Sequence, residues 1–425
     1  MNESPFNTSQ AYAAHLDNND PLSTYREQFV IDDDDLLYMD GNSLGRLPKA
    51  SISVLEKVIR QDWGRRLIRS WGEGWYDAPI QLGNKIGQLI GADEGQVIVG
   101  DSTTVNFYKA ICAALDSNSE RKKIISDVHN FPTDVYTIDG IIKTLSRSYT
   151  LQLVGTQDGI TPDLDELDAS LDEHTALLVL STPTFKSGYL YDMAAITKKA
   201  HRCGALVLWD LCHSAGVIPL ELDDWGVDLA VGCTYKYLNG GPGSPAFLYI
   251  RRDLQNKMRS PIQGWWGHKS PFDFDLDYAP ADGIRRFLAG TPPILSTLAV
   301  EPAVDMILAA GIESIRQKSI GLSTYLIQLC DAVLQPLGFE LGSPREPEFR
   351  GSHVSLKHAD AYRISQSMIK DMQIIPDFRE PDNIRLGLAP LYTSYQEVWC
   401  TIMRMQKIME EGFYKKHTQQ RSTVR

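Results

Sequence analysis

The sequence has little paired cysteine chemistry. Its six cysteines, Cys112, Cys203, Cys212, Cys233, Cys330 and Cys400, stand singly, with no CxxC pair and no zinc spacing. That argues against a disulfide framework and fits a reducing compartment. Asp210 and His213 form a DxxH, but no second cluster of metal-ligand residues accompanies it, so no metal is expected. No apolar run reaches bilayer length. The opening residues, MNESPFNTSQAYAAHLDNND, lack the charged-then-apolar pattern of an export signal. These absences point to the cytoplasm and to no membrane. Basic residues are in deficit, 42 against 54 acidic, for a net charge of −12. Without a basic field over the molecule, nucleic acid is not an expected partner, although a local site for a phosphate stays open.

What is present is ordinary in bulk: 43% hydrophobic and 23% charged residues. A chain of 425 residues exceeds one simple core. Residues 1–50 read as an N-terminal arm joining a small domain, 51–298 as a large domain and 299–425 as a small C-terminal one. A helix is expected from Pro48, with Ile52, Leu55 and Ile59 as its apolar stripe. Between about 84 and 290, apolar segments of strand length (QVIVG, KKIISD, TALLVLS, ALVLWD, DLAVGC, PAFLYIRR) alternate with amphipathic helices. This pattern predicts an α/β fold, a mostly parallel central sheet flanked by helices, with a smaller α+β domain after it. In such sheets ligands bind beyond the carboxyl ends of the strands. The tail after Tyr414 is polar and expected to fray.

Chemistry gathers at two strand ends. Asp210 closes ALVLWD, and Lys236 follows DLAVGC. An acid and a lysine delivered this way are what pyridoxal phosphate requires. The amine carries the cofactor as a Schiff base, and the carboxylate keeps the pyridine nitrogen protonated. Lys236 lies between Tyr235 and Tyr237, ahead of a rigid GGPG turn. Ser102, Thr103 and Thr104 open a helix directly after QVIVG, which is an ordinary N-cap or a phosphate cradle. Phe131 and Asp134, in HNFPTD, follow another strand and suit either ring stacking and ligand contact or local structure. Arg385, in NIRLGLAPLY, suits a bidentate clamp on a carboxylate or an interdomain ion pair. Trp265, in IQGWWGHKS, suits packing, an oligomer contact or the site.

Together DGNSLGRLP, RLIRSWGEGW, FPTD, LVLWDLCHSAG, TYKYLNGGPG, FLAGTPPI and IRLGLAPLYTSY resemble the kynureninase family, from about Tyr38 to about Trp399. The resemblance implies the pyridoxal-phosphate-dependent transferase fold of type I, and hydrolysis of L-kynurenine, a small amino acid, to anthranilate and L-alanine. It implies that Lys236, Tyr235 and Asp210 are catalytic. It implies that Thr103, Thr104, Phe131, Asp134, Ser181, His213, Trp265 and Thr291 join them around the cofactor. Arg385, Trp71, Asn42 and Ser43 would bind substrate. A homodimer is implied, with Thr291 supplied by the partner subunit. The residues bordering the implied aryl pocket, Gly290-Thr291 and GEGW, look more like those of bacterial relatives favouring kynurenine over its 3-hydroxy form. An aminotransferase or a cysteine desulfurase of the same fold group is the alternative. A desulfurase needs a reactive cysteine on a mobile loop, whereas Cys203, Cys212 and Cys233 fall in or beside expected buried strands.

Overall fold

The computed structural model describes residues 6–145 and 149–420. Thirteen strands occur among them. They are β1 (Leu37–Tyr38), β2 (Val97–Val99), β3 (Lys123–Asp127), β4 (Thr150–Val154), β5 (Thr175–Ser181), β6 (Leu206–Asp210), β7 (Leu229–Gly232), β8 (Phe247–Ile250), β9 (Glu340–Leu341), β10 (His353–Lys357), β11 (Ile374–Ile375), β12 (Asp377–Arg379) and β13 (Asn383–Gly387).

Seven strands form the large sheet, in the order β2-β8-β7-β6-β5-β3-β4. Strands β3 to β7 pair in parallel, and only β8 runs against its neighbours. Helices cover both faces, which is why the strands read as continuous apolar runs. In β5, Leu178 and Leu180 enter one core while Leu177 and Val179 enter the other. Each buried aliphatic side chain of this kind contributes roughly 1.5–3 kcal/mol.

A second, antiparallel sheet, β12-β13-β10-β9, packs against helices Ile312–Leu329, Ala361–Met372 and Tyr395–Glu410 around its own core. The N-terminal segment reaches both bodies. Ala13, Leu37 and Met39 enter the small-sheet core, and Leu22 and Phe29 enter the large one.

Three expectations need correction. The helix after Pro48 forms at Lys49–Lys57, but Ile52 and Ile59 are exposed in this chain, and the buried positions are Ser51 and Val58. The Ser51 hydroxyl donates to the Ala299 carbonyl at 2.8 Å, so a small residue seats this helix on its neighbour. Strand β4 was not expected, because TLQLV sits at a sheet edge with little of it buried. The tail does not fray directly after Tyr414. A short 3-10 turn runs Phe413–Lys416, and His417 pairs with Asp371 at 2.7 Å. The end of the tail, 421–425, lies outside the described residues. No single helix among those described is long and apolar enough to cross a membrane.

Candidate active site

The carboxyl ends of β2, β3, β5, β6 and β7 open on one edge of the large sheet, and the small sheet faces that edge. Between them lies a cavity of about 230 Å³. Its lining includes Asn42, Ser43, Thr103, Thr104, Phe131, Asp134, Ser181, Asp210, His213, Tyr235, Lys236 and Arg385. Twelve residues singled out along almost 350 positions of sequence therefore share one cavity. Thr133, Phe185, Cys212 and Arg379 complete the wall. Of these, Arg379 had a readable signal. In Asp377-Phe378-Arg379 the strand period places both charges on one face.

Local structure fixes Lys236. The Thr234 hydroxyl donates to the Pro245 carbonyl at 2.6 Å, and the Gly240 amide donates to the Thr234 carbonyl at 2.8 Å. Gly45, in DGNSLG, presses its backbone onto the same turn and donates to the Tyr235 carbonyl at 2.8 Å. A Cβ at residue 45 would collide with the Lys236 carbonyl and the Asn239 side chain. The resulting turn holds the Lys236 amine 3.0 Å from His213 Nε2. His213 is buried in the cavity wall, 4% exposed. Burial, and then the cations Lys236 and Arg385 and the ring of His353, push its pKa well below the ordinary imidazole value. It stays neutral and pairs with the lysine without competing for charge.

Two carboxyl groups face each other across the floor. The Cys212 amide donates to Asp210 Oδ1 at 2.8 Å. Asp134 lies within hydrogen-bonding reach of Asp210, and burial followed by that neighbour raises the Asp134 pKa well above the carboxylate range. No donor reaches Asp134 Oδ2, which is buried. A protonated ring nitrogen is the kind of cationic donor that such a pair lacks. The rest of the donor set suits the same cofactor. Helix Thr103–Ser117 begins in the cavity wall, with Ser102 as N-cap, and offers hydroxyls and free amides to an anion. Phe131 packs edge-on against Phe185, ring centres 5.4 Å apart, and is 40% exposed. The Tyr235 hydroxyl is raised above its ordinary range by Cys233 and by burial, so it keeps its proton and can donate.

Arg385 enters from β13. It is 1% exposed, and burial pushes its pKa down to about 10. It donates to the Phe185 carbonyl and forms an ion pair with Asp377, its register partner on β12. The pair therefore lies within the small sheet and not between domains.

Trp71, Trp265 and Thr291 are not brought into the cavity. Trp71 packs on Trp75 and Trp266, with ring centres 5.4 and 5.0 Å away. Trp265 lines a separate groove with His268 and Tyr278, and Thr291 is exposed. Cys212 and Cys233 are buried just past the ends of β6 and β7, and Cys203 is half-buried at the end of helix Met193–Arg202.

Comparison with known proteins follows the same lines. Residues 315–405 match the model of the kynureninase C-terminal domain. The chain is 41% identical over 400 residues to a kynureninase of Pseudomonas fluorescens, covering 93% of this chain and 94% of that one. It is 39% identical over 403 residues to a kynureninase of Burkholderia pseudomallei, covering 94% and 95%. In three dimensions it is similar to the cysteine desulfurase CsdA of Escherichia coli, with a TM-score of 0.78 over 92% of this chain and 98% of that one. The sequence identity there is 17%, so that likeness speaks for the fold alone.

Proposed function

The chain belongs to the kynureninase family, and we propose that it hydrolyses the Cβ–Cγ bond of L-kynurenine, consuming one water and giving anthranilate and L-alanine. The observation that carries this reading is the meeting of Lys236, Asp210 and Arg385 in one cavity. Pyridoxal phosphate, when bound there, supplies the electron sink that lets bonds at the substrate's α- and β-carbons break.

Each wall residue then has a task. Lys236 anchors the cofactor, and its freed amine removes and returns the α-proton, with neutral His213 at 3.0 Å as its partner. Asp210, backed by Asp134, would keep the ring nitrogen protonated. Thr103, Thr104 and the amides of their helix would hold the phosphate, with Phe131 beside the ring and Ser181 completing the shell. Arg385 fixes the α-carboxylate, beside Asn42 and Ser43, so that the side-chain ketone points away from the small sheet. The Tyr235 hydroxyl donates the proton that Cβ needs once water has added to the ketone carbon and the bond has broken.

Trp71, Trp265 and Thr291 contribute to the aryl and phosphate ends of a second copy's cavity in a cytoplasmic homodimer. What supports this is the exposure of Trp265 and Thr291, and of Ile59, Trp63, Leu67 and Ile68 near the half-buried Trp71 in sequence. Sedimentation of the purified protein at about twice the monomer mass is the expected result. A monomer with full activity would refute the shared site.

The function is tested by supplying purified protein with pyridoxal phosphate and L-kynurenine and no keto acid. Anthranilate and L-alanine should appear in equal amounts, and faster than 3-hydroxyanthranilate from the hydroxylated substrate. A requirement for a keto-acid acceptor would point to an aminotransferase instead.

A further inference from the structure

Arg379 was not singled out from the sequence, and the cofactor and substrate roles above do not use it. It nonetheless lines the same cavity as Arg385. Both arginines are bound to the same atom. Asp377 Oδ2 lies 3.0 Å from Arg379 Nη2 and also accepts from Arg385 Nη2. The Ser43 hydroxyl approaches that oxygen at 3.5 Å and Arg385 Nη2 at 3.4 Å. The geometry follows from the sheet. Asp377 and Arg379 lie two apart on β12 and share a face, and Asp377 is opposite Arg385 on β13. Asp377 and Arg385 are each 1% exposed, and the Arg379 side chain is 26% exposed. The Nε–H groups of both arginines are buried without a partner.

An arginine that grips a carboxylate in bidentate fashion needs two adjacent N–H groups free. Arg385 has its Nη1 on the Phe185 carbonyl and its Nη2 on Asp377. An incoming carboxylate must therefore share Arg385 with Asp377, which brings two carboxylates onto one guanidinium. A buried aspartate that has to share Arg385 with a second carboxylate would oppose this. Arg379 removes that obstacle, because it already holds the same oxygen.

We propose that Arg379 is the standby partner of Asp377. When the α-carboxylate of an amino-acid substrate engages Arg385, Asp377 stays charge-compensated by Arg379. Arg379 thereby sets the affinity for carboxylate-bearing ligands without touching them. It is a positioning residue, and the proposal rests on the reading of Arg385 as the carboxylate clamp.

The test uses the enzyme loaded with pyridoxal phosphate and follows cofactor absorbance. L-alanine and L-alaninamide, which lacks the carboxylate, are titrated into wild type and Arg379→Met. L-alanine affinity should fall at least tenfold and L-alaninamide affinity less than twofold. KM for L-kynurenine should rise about as much as L-alanine binding weakens, with a much smaller change in kcat. Arg379→Lys, which keeps the charge, should recover most of the loss. Arg379→Gln serves in place of the Met variant should that one not fold. In an Asp377→Asn background the effect of Arg379→Met should shrink to a small fraction, because Asp377 no longer needs a second cation and only Asp40 remains beside both arginines. Unchanged L-alanine affinity in Arg379→Met, equal losses for acid and amide, or a full-sized effect in the Asp377→Asn background would each overturn the proposal. Failure of the substrate reading looks different. Wild type would then release no anthranilate, while the L-alanine titrations would still report on Arg379.

Discussion

Opposite walls of the cavity differ in charge, and each lies beside a different sheet: two carboxyls and a lysine on one, two arginines on the other. The large sheet presents Asp134 and Asp210 together with Lys236. The small sheet presents Arg379 and Arg385. The acidic wall lies at the ends of parallel strands, where each residue comes from a separate crossover. The basic wall lies along two paired antiparallel strands, where register alone sets the spacing. On the proposed reading, the wall beside the large sheet serves the cofactor and the chemistry, and the arginine wall serves the selection of a carboxylate.

Substitutions should separate those two contributions. The largest effect is expected on the acidic wall. Lys236→Ala should abolish steady turnover, seen as no anthranilate beyond one equivalent of enzyme, and full activity would remove the lysine from its role. Asp210→Asn keeps the shape of the strand end but loses the charge. It should cost roughly a hundredfold or more in kcat and a smaller factor in KM, as measured by steady-state anthranilate release.

On the basic wall, Arg385→Met should act mainly on KM. A lost charged hydrogen-bonded pair is worth about 1.5–3 kcal/mol, which is roughly ten- to hundredfold in affinity. Its effect on thermal unfolding should fall short of the about 3–5 kcal/mol usual for breaking a buried pair, since Arg379 still holds Asp377. A kcat collapse at unchanged KM would erase the division between the walls.

The smallest effect concerns stability without cofactor. Burial and Asp210 raise the Asp134 pKa well above its ordinary value. The folded protein thus keeps a proton that the unfolded chain loses near pH 4. The contribution of this group to stability falls as pH rises from there through the raised pKa. Asp134→Asn should remove that fall and gain on the order of 1 kcal/mol in the apoprotein at neutral pH. Melting temperatures of both proteins across pH 4 to 8 check this. Parallel curves would show that the carboxyl is not strained.

Much of the site was legible because strand ends are marked in sequence. ALVLWD and DLAVGC announce buried strands through their apolar runs, and a charged residue just past such a run has few places to go except the sheet edge. The same reasoning missed Arg379, whose partner Asp377 is close in sequence but becomes a partner to Arg385 only through β12–β13 pairing. The apolar stripe of Ile52 and Ile59 is exposed. Helical periodicity shows that an apolar face exists, but not whether this chain or another surface covers it.

The amino-acid sequence by itself determined the fold class, the family and the delivery of Asp210 and Lys236 at two strand ends. These depend on local hydrophobic patterning and on motifs whose spacing is fixed by one strand and one turn. Only the tertiary structure decided that Asp134 shares the floor with Asp210, that His213 stays neutral beside Lys236, and that one aspartate serves two arginines. Those facts arise from burial and from through-space charge. Both depend on which distant segments the two sheets bring face to face, and neither is written in the order of the residues.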